Sequence, residues 1–337
     1  ISDTIKKGYR AVRLNIFLRI TEGTDYLKIR QQILKSVADE TGGRSPAVAV
    51  TVHPPEDPWK VAVEALFLVS DGENAVTLYF DSIPYVVINH QWGKEIWCSG
   101  LGAGEFSGGT RQAAAFAFEQ MAAILGIEDM SMDNIIRQWN FIGKILEFRD
   151  GLQNYQVFNE VRSEYYGRSR TLPFFPAATG IGMGTDGVII DFCAVKADHT
   201  VLIQGLSNPE QVNAWEYDQK VLKGLTVSGK GKKQPPQFER ALLQSAPGNS
   251  TLFVSGTASI KGQETMGKGD VEKQCLVTID NIRKLADAER IAEITGKGQP
   301  SEMSYRLLRV FIKNREDFGK VRRICNEQFP SVPSVFV

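Results

Sequence analysis

One order of elements returns along this chain of 337 residues, once as a half, once whole and once nearly whole, and that repeat limits the fold more than any single motif. Between Arg10 and Ile20, Val12, Leu14, Ile16, Leu18 and Ile20 alternate with Arg13, Asn15, Phe17 and Arg19, the period of a strand. Tyr26, Ile29, Ile33 and Val37 then share a helical face, and Val48 to Val52 and Val61 to Val69 add two strands. A fuller copy starts near Tyr85, with a strand ending in Trp97-Cys98-Ser99-Gly100. Its helix, over about 110–125, carries Phe118, Met121, Ala122 and Leu125 as an apolar stripe, with Gly126 placed to cap it. A strand over 137–142, a helix over about 153–166, the Pro/Gly-rich segment 173–184 and a strand over 188–195 complete it. A third copy has a strand ending at Gly256, a helix over about 271–285 capped by Asp270, a strand over 305–312 and a helix over 317–329.

The expected organisation is a partial unit over 1–84 that joins a complete unit over 85–200 in one N-terminal domain, a linker over 201–236, and a C-terminal domain over 237–337. In the linker, Ser228 to Pro236 is rich in lysine but has no interleaved aromatic residues, so it reads as an exposed loop and not as a nucleic-acid patch. Ser334 to Val337 reads as the start of a strand without a sheet partner, as in a C-terminally shortened chain, unless the N-terminal half unit supplies that partner.

Composition narrows the function classes. Lys+Arg and Asp+Glu balance at 39 each, so no net field draws the chain to nucleic acid or to an anionic membrane. No apolar run approaches the roughly 18 to 20 residues of a membrane span, and ISDTIKKGYR lacks a signal-peptide core, so the expected location is cytoplasmic. Cys98, Cys193, Cys275 and Cys325 show no C-x-x-C spacing and are expected as buried small hydrophobes, Cys98 included. His53, His90 and His199 are isolated, so the expected chemistry needs neither metal nor cofactor.

Several side chains stand out on their own terms. After the apolar strand Leu252-Phe253-Val254, the small residues of SGTAS let a backbone approach a ligand, and the segment then delivers one carboxylate, Glu264, whose bland alternative is a solvated loop acid. Arg162 falls on the inward stripe of its helix with Phe158, Val161 and Tyr165, where a guanidinium needs an anion: a ligand or an internal ion pair. Arg309 poses the same question on a strand, sharing a face with Tyr305, Leu307 and Phe311, and so does Arg137 beside Trp139 and Phe141, which could equally brace the sheet. Tyr165 is either a hydrogen-bond donor or core filler. The run Ala177 to Gly182 offers backbone N–H groups, yet no Lys follows it and it matches neither the P-loop nor the dinucleotide fingerprint, so a tight turn is the alternative.

A β-β-α-β-α-β unit whose second strand ends in Ser-Gly resembles the RidA/YjgF fold, which is chorismate-mutase-like in its layers. More closely, SGTASIKGQE at 255–264, FNEVRSEYYG at 158–167 and FPAATGIGMG at 175–184 resemble the chorismatases, and the likeness runs from about residue 85 to the end. The resemblance implies an α+β fold of repeated units whose mixed sheets pack as a pseudo-trimer with helices outside. It also implies an enzyme that splits the enolpyruvyl ether of chorismate into pyruvate plus a dihydroxycyclohexadiene carboxylate or a hydroxybenzoate.

Carried onto this chain, the resemblance implies Glu264 as proton donor, and to stay protonated near neutral pH such an acid needs an apolar pocket behind the turn. It implies Thr179 and Gly180 in a carboxylate-binding loop. It places Thr257 and Ala258 where members of the family carry alanine or cysteine, which leaves the product type open. Arg162, Arg309, Arg137 and Tyr165 are the residues expected on the substrate. Two readings from other classes are a RidA-like enamine or imine deaminase and a non-catalytic module for small carboxylates. Of the deaminase pattern only Arg170 and Asp191 offer loose matches.

Overall fold

The computed structural model describes the chain apart from residues 1–3, 5–6, 22–24, 70–73, 105–107, 227–230 and 297–302. In the first unit, β1 (Arg10–Leu18) pairs in parallel with β2 (Ala47–Thr51) across α1 (Tyr26–Glu40), and antiparallel with β3 (Val61–Leu68). A parallel return needs a long crossover, and the amphipathic helix supplies one. Leu14, Ile16 and Leu18 pack with Val48 and Val50 beneath Ile29, Ile33 and Val37, and Asp25 caps the helix by accepting from Lys28 N.

The second unit comprises β4 (Ala75–Phe80), β5 (Ile83–His90), β6 (Gly93–Leu101), α2 (Gly109–Ile127), β7 (Ile135–Gly143), α3 (Asn154–Ser169), β8 (Ala177–Met183) and β9 (Val188–Ala197). They form one sheet in the order β8-β7-β9-β6-β5-β4, in which only β8 and β7 run parallel. The order β2-β1-β3 repeats β8-β7-β9, so the first unit is the second half of the same motif.

The third unit opens with a meander of β10 (Leu202–Leu206), β11 (Ala241–Ala246) and β12 (Asn249–Val254), the counterpart of β4 to β6. It continues through α4 (Val271–Leu285), α5 (Ala288–Thr295), β13 (Leu308–Val310), α6 (Phe318–Gln328) and β14 (Ser334–Phe336), which pairs in parallel with β13 as β8 does with β7. The repeated α+β arrangement expected from the sequence is present, helices outward.

Several local expectations need correction. The segment 201–236 is not all linker, because its start forms β10; residues 227–230 of it lie outside the described residues. β4 and α5 went unread, and the strand expected over 305–312 shrinks to three residues. The chain's last strand has its partner in β13. The Pro/Gly-rich segment 173–184 contains β8, a regular edge strand.

One face of the large sheet packs on α2 and α3 through Phe118, Met121, Phe158, Ile190 and Phe192. The opposite faces of the units meet in a central core around Phe17, Trp97, Trp139, Phe141 and Leu242. Cys98 and Cys193 are fully buried in these cores and burial pushes both thiols well up, so they pack and do not react.

At the centre the repeat becomes visible in side chains. Arg13, Arg137 and Arg309 stand at corresponding points of β1, β7 and β13, opposite Ala47, Ala177 and Val335, each at or next to the start of the following parallel strand. Their guanidinium carbons lie 3.8, 4.4 and 5.5 Å from the centre of the Trp139 ring. Asp191 takes Arg13 at 2.8 Å, and Glu64 takes Arg309 with Nε at 2.7 Å. The anion that Arg309 required is therefore internal, supplied by a residue 245 positions away.

Candidate active site

The site grows from the free edge of β8. Its other edge is hydrogen-bonded to β7, and onto the free one the third unit lays the loop that follows β12. Gly256 N donates to Ala178 O at 3.0 Å, and Ala178 N donates to Ser255 Oγ at 2.8 Å. Glu239 N donates to Pro176 O at 3.2 Å just upstream. Small residues are what permit this approach: a Cβ on Gly256 would sit 3.1 Å from Thr179 Cγ2, and one on Gly180 would sit 3.1 Å from the Tyr155 ring. Ala177 to Gly182 is thus a strand carrying the junction, in place of the loop or tight turn expected for it.

Beside this edge lie two buried cations. Arg162, on α3, is 2% exposed; its Nη2 donates to Asn159 Oδ1 at 2.7 Å and it lies beside Tyr155. Arg240, leading into β11, is 5% exposed; its Nη2 donates to Tyr217 Oη at 2.8 Å and to Val212 O. Tyr155 covers Gly180 and feels the charge of Tyr217 as well as of Arg162, so Arg162 with Tyr155 and Arg240 with Tyr217 lie in one neighbourhood. Burial pushes the Arg162 guanidinium down and the Tyr155 phenol up.

Among the described residues neither arginine has a carboxylate within ion-pair distance, and the Nε of each is buried without a partner. A desolvated guanidinium left without an anion is costly. Two of them, with phenols beside them, leave hydrogen-bond donors without an internal anion among the described residues.

Of the residues singled out by sequence, Arg162 lies beside Tyr155 and Gly180 lies under it, while Thr257 and Ala258 follow Gly256 in the loop laid along β8. Thr179 faces both Gly256 and Arg137: Arg137 Nη2 donates to Thr179 Oγ1 at 2.6 Å and Nη1 to Gln138 O at 3.0 Å. Burial and the neighbouring Arg309 and Arg13 push the Arg137 guanidinium well down. Tyr165 points elsewhere: it stacks on Phe118 at 5.2 Å and donates to Glu119 Oε1 at 3.2 Å, binding α3 to α2. Arg309 is committed to Glu64 in the central core.

Glu264 is exposed, on a two-residue ladder opposite Lys261, and the described residues do not build the expected apolar pocket around it. Its hairpin is nevertheless tied to Arg240. Val212 N donates to Gly262 O at 2.9 Å while Val212 O accepts from Arg240, so a single residue bridges the turn before Glu264 to the buried guanidinium.

Arg240, Tyr155 and Tyr217 were missed. The signals were present for two of them: Tyr155, Asn159 and Arg162 follow an i, i+4, i+7 face, and Arg240 alternates with Leu242 and Gln244 along a strand. Tyr217 gave none, since it lies in irregular chain after a short 3₁₀ turn.

A buried carboxyl lies at the seam between the third unit and β8. Glu239 accepts from Phe175 N at 3.2 Å, and burial raises it from 4.5 to about 7 against the opposing pull of Arg170. A carboxyl raised in the folded state binds a proton that the unfolded chain has lost, so it favours folding below about 4.5 and that contribution disappears as pH climbs to about 7. Glu239→Gln is therefore expected to show a smaller fall in stability from pH 5 to pH 8 than the parent, with the higher urea midpoint at pH 8. Parallel pH profiles of the two proteins would contradict this.

Comparisons with known proteins agree on one family. The family model described as chorismatase FkbO/Hyg5-like, N-terminal, matches residues 92–194. A 3-hydroxybenzoate synthase of Streptomyces hygroscopicus is 31% identical over 291 residues, covering 84% of this chain and 76% of that protein. A chorismatase of Streptomyces rapamycinicus is 33% identical over 233 residues, covering 68% of this chain and 66% of its own. A chorismatase crystal structure superposes with a TM-score of 0.68 at 20% identity, over 97% of this chain and 87% of that one.

Proposed function

Because the chain belongs to the chorismatase family, we propose that the seam beside β8 is where it binds chorismate and splits the enolpyruvyl ether. The chain is a chorismate-cleaving enzyme, and pyruvate is one product. The observation that supports this site best is the pair of buried guanidiniums, Arg162 and Arg240, without a carboxylate among the described residues. Chorismate carries two carboxylates, one on the ring and one on the enolpyruvyl group, and each suits a planar guanidinium.

In this reading Glu264 delivers a proton to the enolpyruvyl methylene carbon. The adjacent ether carbon becomes an oxocarbenium, and its positive charge arises close to the carboxylate held by an arginine. Addition of water there gives a hemiketal that collapses to pyruvate and the ring alcohol. A hydroxybenzoate route, by contrast, consumes no net water, since pyruvate and hydroxybenzoate together contain all the atoms of chorismate. Thr257, whose Oγ1 donates to Ser255 O at 2.8 Å, and Ala258 line the approach beside Gly256. Arg137 holds Thr179, which meets Gly256, and Tyr165 and Arg309 are left to packing and to Glu64.

The test is turnover of chorismate by the purified protein, with pyruvate followed by a lactate dehydrogenase couple and the ring product identified by chromatography. Pyruvate in step with loss of chorismate is the expected result, and the ring product assigns the subtype. Folded protein that leaves chorismate untouched would overturn the reading. A single chain carrying its own three units is expected to work as a monomer in the cytoplasm, and the mass of the active species in solution checks the first of these.

A further inference from the structure

The loop that lines the proposed site and the hairpin that carries its acid meet one buried side chain from outside both. Asn281, on α4, is 0% exposed, and its Nδ2 donates to Ala258 O at 3.1 Å and to Ile260 O at 3.0 Å. It grips the chain between Thr257 and Glu264. The backbone of Asn281 is held in turn, since its carbonyl accepts from Asn208 Nδ2 at 3.0 Å.

These bonds are not needed to satisfy the loop. Ala258 O also accepts from Ile260 N at 2.8 Å, and Ile260 O also accepts from Gln211 Nε2 at 3.0 Å, so both carbonyls keep a partner without Asn281. Meanwhile Asn281 Oδ1 is buried with no partner among the described residues. A polar group that leaves its own acceptor unsatisfied while duplicating other donors is a poor choice for stability, and an apolar residue of the same size would serve the core as well. What it adds is direction: one planar amide fixes two carbonyls two residues apart, and so fixes the aim of everything between Thr257 and Glu264.

We infer that Asn281 is a positioning residue for catalysis, setting where Glu264 stands relative to the substrate without touching either. This rests on the reading of the seam as the chorismate site. An acid displaced by an ångström still leaves the carboxylates in place, so the effect falls on the chemical step and not on binding.

Asn281→Leu is compared with wild type and with Ile279→Val, a buried change on the same helix away from the loop. The expected result is a kcat at least tenfold below wild type with KM within threefold, and a urea midpoint no lower than that of Ile279→Val. In Asn281→Asp the carboxylate cannot donate, but a protonated carboxyl can, so its turnover relative to wild type is expected to recover as pH falls. Amide exchange over 257–265, measured without substrate, is expected to quicken in Asn281→Leu and not in Ile279→Val.

Unchanged kcat or unchanged exchange in Asn281→Leu would overturn the inference, and so would a loss of turnover that only tracks a loss of stability. Wild-type protein inactive on chorismate would overturn the functional reading instead, and the exchange arm would still decide whether Asn281 holds the loop.

Discussion

Glu264→Gln is expected to reduce chorismate turnover by about 10³-fold, within the 10²–10⁴ range that a positioned general acid contributes, while chorismate still binds. The side chain keeps its shape and loses only the proton it would give to carbon. Because Glu264 is exposed and its ladder is built from backbone pairing with Lys261, the substitution should leave stability within about 0.5 kcal/mol. That separation makes the experiment informative: single-turnover kinetics report the chemical step, and equilibrium binding of chorismate to the inactive variant reports the receptor. Turnover within threefold of wild type would remove Glu264 from the chemistry. Loss of binding together with turnover would instead make it part of the receptor.

The sequence disclosed elements whose own residues carry their reasons. Period-two alternation marked β1 and β7, and helical stripes marked α1, α2, α3 and α4 within a few residues of their ends. β8 stayed hidden because four of its seven residues are Ala or Gly and its pairing comes from β7, some forty residues earlier in the chain. β13 was drawn too long because the alternation of Tyr305, Leu307, Arg309 and Phe311 extends beyond the stretch that finds a partner.

The site divides in the same way. Arg162 could be read from its helix, since an inward stripe that contains a guanidinium is a local fact. Whether a buried arginine awaits a ligand depends on what lies opposite it, and that is set by the packing of units. Arg309 and Arg162 looked alike in sequence, yet Glu64 neutralises the first and among the described residues no carboxylate neutralises the second. Arg240 and Tyr217 reach the edge of β8 only when the third unit docks there through Gly256 and Glu239, and no periodicity reports a docking.

Arg162→Met and Arg240→Met test that distinction because the two roles predict opposite signs. A guanidinium that pairs with a ligand carboxylate in a desolvated site should cost about 2–5 kcal/mol of binding when truncated, a rise in KM of roughly 30-fold or more. The same guanidinium, buried without an anion in the free protein, burdens the fold, so an apolar side chain of similar length should leave stability unchanged or raise it by about 1–3 kcal/mol. Methionine keeps most of the volume, which limits any cavity contribution. Receptor arginines are therefore expected to lose chorismate and keep or gain stability. Structural arginines would do the reverse, with lower urea midpoints and unaltered KM, and that outcome would move the site away from the seam. The pair should also couple: if each holds one of the two carboxylates of a single molecule, the double variant will lose less than the sum of the single losses, because a substrate freed at one end no longer holds its geometry at the other. Strictly additive losses would place the two arginines on separate ligands.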